Sequence, residues 1–94
     1  MTLDLLVRSP EGEIQRYCQP GTCVVVGRDP GCDVVLPSPE VSRRHLVLAW
    51  EQDRVLVTDT SANGTSVSGR ILRRASELLP PATPLSVGPF EVRV

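Results

Sequence analysis

Glu40-Val41-Ser42-Arg43-Arg44-His45 runs directly into Leu46-Val47-Leu48-Ala49-Trp50, and the rest of the chain is read outward from this stretch. Pro37 and Pro39 stand just before it. Proline lacks a backbone donor and pushes the residue before it out of the helical region, so the approach is a loop. Residues 46–50 are an apolar run of strand length. A hydroxyl and two guanidinium groups therefore sit where a loop feeds a buried strand. That arrangement suits a small, dense anion.

Outward from this stretch, short apolar or alternating segments are separated by turn residues. Leu3, Leu5 and Val7 fall on one face of a strand over residues 3–8. Ser9-Pro10-Glu11-Gly12 is turn chemistry, and residues 13–17 pair back as a hairpin. Residues 23–26 and 33–36 are strand-like, the first ending at Gly27 and the second following Pro30-Gly31. On the other side, residues 54–59 form a strand, Asn63-Gly64 a positive-φ turn, and residues 65–68 and 70–72 a hairpin about Gly69. Residues 75–79 read as one helical turn. Residues 85–87 and 90–94 are the last strands. Many short strands and no helix of three turns imply an all-β, antiparallel β-sandwich with its functional loops at one end.

The chain has 94 residues, 40% of them apolar, which suits one small domain over residues 1–94 with a single core. Net charge is −1, so no broad basic field points to nucleic acid or a membrane surface. No apolar run approaches the roughly 18 residues of a membrane span. The N-terminus lacks the pattern of a secretory signal, so a cytoplasmic location is expected. All ten basic residues are arginine, which fits a GC-rich coding bias as well as phosphate chemistry. Cys18, Cys23 and Cys32 have no metal-site spacing, so buried free thiols and no metal or cofactor are expected.

Val26-Gly27-Arg28-Asp29, Ser42-Arg43-Arg44-His45 and Ser61-Ala62-Asn63-Gly64-Thr65 together resemble the forkhead-associated domain family. Its pattern is Gly-Arg after a strand, then Ser-x-x-His, then Asn-Gly, in that order. The resemblance implies a β-sandwich that binds phosphothreonine peptides, reading its ligand's γ-methyl in a small apolar pocket. It assigns Arg28, Ser42 and Arg43 to the phosphate and Asn63 to the peptide backbone. Gly27, His45 and Gly64 would shape the site, with His45 bracing the loop. Glu40 would meet ligand residues beyond the phosphate and disfavour acidic ones. The implied partner is a phosphothreonine-containing protein, a Ser/Thr kinase or its substrate. The sequence departs from the pattern at Ala82-Thr83, where Gly-Asp is frequent, and at Ala62, where a hydroxyl residue is frequent.

Two other readings stand beside this one. A scaffold domain on the same sandwich would use a sheet face for phosphate-independent contacts. A hydrolase would need Ser42, His45 and an orienting acid, for which Asp59 is the only nearby claimant, and no nucleophile-elbow motif is present. Arg74 lies away from the motif in sequence and is expected to be dispensable.

Overall fold

The computed structural model describes residues 2–94. Eleven strands are described: β1 (Thr2–Arg8), β2 (Ile14–Pro20), β3 (Cys23–Gly27), β4 (Val34–Val35), β5 (Leu46–Glu51), β6 (Arg54–Asp59), β7 (Thr65–Val67), β8 (Arg70–Leu72), β9 (Ser76–Leu79), β10 (Leu85–Val87) and β11 (Phe90–Arg93). They form a six-stranded sheet in the order β2-β1-β11-β10-β7-β8 and a five-stranded sheet in the order β4-β3-β5-β6-β9. Alternate residues face the space between the sheets. Val24, Val26, Leu46, Leu48, Val55 and Val57 come from one sheet; Leu3, Leu5, Val67, Leu85, Val87 and Val92 come from the other. The sandwich expected from the alternation is the one observed.

Three details differ from that expectation. The 75–79 segment is not a helical turn. Its Ser76–Leu79 part is strand β9, paired with β6 from Thr58↔Ser76 to Val55↔Leu79. A free edge on β6 and a buried Leu79 decide the matter, overriding a weak local preference. The β3–β4 pair is parallel, Val26 beside Val34 and Gly27 beside Val35. Parallel pairs ordinarily need a long crossover, but β4 has only two residues, so the 28–33 loop need only double back. Asp33 secures that return by accepting the Val25 N–H on its carboxylate at 2.8 Å. The cysteines are not buried: Cys18 and Cys23 are exposed and Cys32 is half-buried, because the first two face solvent from their strands.

Strand register places the loops. Val26 pairs with Leu46, and Leu46 with Asp59. So the end of β3, the start of β5 and the end of β6 lie side by side, and the loops after Gly27, before Leu46 and after Asp59 leave from one end. Val41 and Leu36 are loop residues sunk into the core, which pins the middle loop. Thr2 and Val94 lie at the opposite end. Trp50 donates its indole N–H to the Thr2 carbonyl at 3.1 Å. Val94 accepts the Ala82 N–H at 3.0 Å, in the turn after Leu79. Ala82 holds a φ of 67°, a left-handed conformation ordinarily taken by glycine.

Candidate functional site

The site begins at Gly27. A β-carbon there would lie 2.2 Å from the Arg43 carbonyl oxygen, a backbone atom that has nowhere to go. Its absence lets the 41–45 loop lie flat against the end of β3. The Arg28 N–H then donates to the Ser42 carbonyl at 3.0 Å, and the Asp29 N–H to the Arg43 carbonyl at 3.1 Å. The Cys32 thiol meets the same Arg43 oxygen at 3.2 Å. Gly27 is thus a close-approach residue.

Arg28 is exposed, and its Nε donates to the Val41 carbonyl at 3.0 Å. Val41 is itself anchored in the core, so this bond aims the guanidinium. Its two terminal nitrogens make no hydrogen bond among the described residues. Among the described residues, carboxylates pair only with Arg70 and Arg93, so the guanidinium groups of Arg28 and Arg43 have no anionic partner. Arg43 and Arg44 are both exposed.

His45 is buried between two loops. Its Nδ1 accepts the Ser42 N–H at 3.1 Å, which requires that nitrogen to be unprotonated. Nε2 therefore carries the hydrogen and donates to the Gly64 carbonyl at 3.0 Å. One neutral imidazole clips the 41–45 loop to the Asn63-Gly64 turn. Neither nitrogen meets Ser42 Oγ, so the hydrolase pairing of Ser42 with His45 is not formed. Ser42 Oγ instead accepts the Ala62 N–H at 3.0 Å, and its own hydrogen remains available to an outside acceptor. Ala62 thus contributes its backbone where a hydroxyl was expected.

Burial lowers the His45 pKa below the usual 6.5, against the opposing effects of the Gly64 bond and the Asp59 charge. The unfolded chain then takes up a proton more readily than the folded one. Stability from neutral His45 is complete above pH 6.5 and is lost as pH falls from there through the folded value. The thermal midpoint is expected to drop over that window in the parent and to stay nearly level in a His45→Asn variant. Equal slopes for the two proteins would refute the assignment.

A second network went unforeseen in the sequence. Asp59 is buried and accepts four hydrogen bonds: from the Ser61 and Thr65 hydroxyls at 2.7 Å each, the Ser61 N–H at 3.3 Å and the Arg74 N–H at 3.0 Å. Ser61 Oγ accepts the Gly64 N–H at 2.7 Å. Burial pushes the Asp59 carboxyl up, but these bonds more than offset that and hold it below the usual 3.8. The signal lay in Asp59-Thr60-Ser61, where a carboxylate two residues before a serine has Asx-turn spacing. Asp59 is therefore a brace for the turn and makes no bond to His45. Arg74 is not remote either, since its backbone belongs to this brace.

Asn63 is exposed at the tip of the braced turn. Gly64 has a φ of 90°, and Ile71 Cγ2 lies 2.6 Å from where its β-carbon would stand. Arg28, Ser42, Arg43 and Asn63 are thus gathered at one end, with Gly27, His45 and Gly64 beneath them. Glu40 is exposed at the rim, its backbone near Gly88.

The family model of the FHA domain matches residues 24–88. The chain belongs to the forkhead-associated (FHA) family. The match reaches from β3 to the turn before β11 and contains every residue of the cluster. Mediator of DNA damage checkpoint protein 1 of Rattus norvegicus is 44% identical over 46 residues, or 46% of this chain. The chain spans only 4% of that protein's length as matched. The FHA-1 structure of Mycobacterium tuberculosis Rv1747 is 30% identical, covers 100% of this chain and 98% of its own, and has a TM-score of 0.69. An FHA domain solved in work on phosphothreonine-dependent FHA domain interactions is 25% identical, covers 97% of this chain and 94% of its own, and has a TM-score of 0.79.

Proposed function

We propose that this FHA domain binds phosphothreonine peptides made by a Ser/Thr kinase, and that binding, without turnover, is its activity. The observation that carries the reading is the state of the donors. Arg28 is aimed by Val41 yet its terminal nitrogens make no hydrogen bond among the described residues, and Ser42 has its backbone and lone pair engaged but its proton free. A phosphothreonine brings about −1.5 to −2 charges and three acceptor oxygens. Those acceptors match a planar fork beside a hydroxyl donor. Arg43 adds positive charge at the rim, and Asn63 supplies an amide for the peptide backbone. The relative solved with phosphothreonine-dependent interactions supports the same ligand. Three free cysteines suit a reducing compartment.

Calorimetric titration with matched phosphothreonine, phosphoserine and unphosphorylated peptides tests the reading. The unphosphorylated peptide is expected not to bind. A buried γ-methyl contributes about 0.8 kcal/mol, so phosphothreonine should bind about fourfold more tightly than phosphoserine. Equal affinity for all three would leave the site without a phosphate role.

A scaffold reading has one observation in its favour. The outer face of β1 and β2 carries exposed Leu6 and Ile14, and a cavity of about 500 Å³ opens beside Leu6, Arg16, Tyr17 and Val94. A partner held there would bind unphosphorylated and be indifferent to Arg28→Ala.

A further inference from the structure

Among the described residues four large apolar side chains are exposed: Leu6, Ile14, Ile71 and Leu78. Single exposed apolar residues need no explanation in themselves. Ile71 differs by its place. It is 56% exposed, yet its Cγ2 sits 2.6 Å from the point where a Gly64 β-carbon would stand. The isoleucine therefore occupies the space left open by Gly64, one residue along the chain from Asn63. Arg73 approaches the same point with its Cγ at 3.1 Å, so its aliphatic stem extends the apolar surface past the turn. No carboxylate pairs with Arg73 among the described residues. The Gly64 turn against which this surface packs is held by Asp59, Ser61 and His45.

We infer that Ile71, with the stem of Arg73, forms a specificity subsite that seats an apolar side chain of the bound phosphopeptide. This deepens the phosphopeptide reading above and rests on it. The occupant follows from reach and continuity. Ser42 Oγ touches the Ala62 N–H, and Gly64 is two Cα steps further, at most about 7.6 Å. An extended peptide covers that span in about two or three residues. A ligand that runs over Asn63 thus arrives at Ile71 with its next outward side chain. Burying that side chain against an already exposed isoleucine removes apolar area from both partners.

The test is a phosphothreonine peptide array in which each flanking position is varied in turn between leucine, serine and aspartate. It is probed with the parent and with Ile71→Thr and Ile71→Leu. Threonine keeps the β-branched shape that suits a strand, and circular dichroism checks the fold. At one flanking position the parent should prefer leucine over serine by about fivefold. Ile71→Thr should flatten that preference, Ile71→Leu should keep it, and phosphate dependence should persist in both. Phosphate-dependent binding with no position sensitive to Ile71→Thr overturns the subsite alone. Binding without phosphate dependence in the parent overturns the reading beneath it.

Discussion

Arg28→Ala is expected to weaken phosphothreonine-peptide binding by on the order of 2–5 kcal/mol, roughly thirtyfold to several-thousandfold. Arg28→Lys should recover little of this although it keeps the charge. Lysine has no planar fork and no equivalent of the Nε that bonds the Val41 carbonyl and fixes the direction of the side chain. Its ammonium would have to satisfy that carbonyl or the phosphate. Arg28 is exposed and without a carboxylate partner, so both variants should melt close to the parent. Arg54→Ala is the appropriate control, because Arg54 starts β6 at the end opposite Asp59. Titration calorimetry on the three variants reads the outcome. Parent-like affinity in Arg28→Ala with the fold intact would move the phosphate elsewhere and favour the scaffold reading.

Asp59→Ala is expected to cost roughly 3–5 kcal/mol of folding stability, through a different mechanism. The change strips the acceptor from four donors at once, and each buried donor left unmet costs about 1–3 kcal/mol. Water entering the space recovers part of that. The loss is a large fraction of the roughly 5–15 kcal/mol that holds a domain together. Asp59→Asn should lie between, since its amide turns a donor toward groups that are donors themselves. Urea denaturation measures both. A midpoint for Asp59→Ala equal to the parent's would mean the four bonds contribute nothing net.

The fold was legible wherever side-chain alternation met turn residues, as at Leu3-Asp4-Leu5 and at Asn63-Gly64. It was not legible at residues 75–79, because β9 exists by pairing with β6, and no local pattern encodes a neighbour's free edge. The parallel β4 was hidden for the same reason. The motif spacing that singles out Arg28, Ser42, His45 and Asn63 lies in three separated segments, and register explains why they converge. That spacing did not give the Asp59 brace or the Val41 carbonyl. The former is a through-space network across residues 59–74, and the latter is a backbone atom of a residue whose side chain reads only as core.

Thr2 and Val94 lie at the end of the sandwich away from the loops that carry Arg28, Ser42 and Asn63. This sets a minimum leash. On β5 four residues, roughly 13 Å of strand, separate Trp50 at that end from Leu46 at the other, and an extended chain advances at most about 3.6 Å per residue. On the proposed function, a phosphothreonine fewer than about four residues N-terminal to Thr2 or C-terminal to Val94 cannot reach Arg28 of its own domain. It is out of reach in cis and on offer in trans, so close-flanking phosphorylation would join one copy to the next. A longer flexible tether reverses the preference, raising the local ligand concentration until the site is occupied by its own chain.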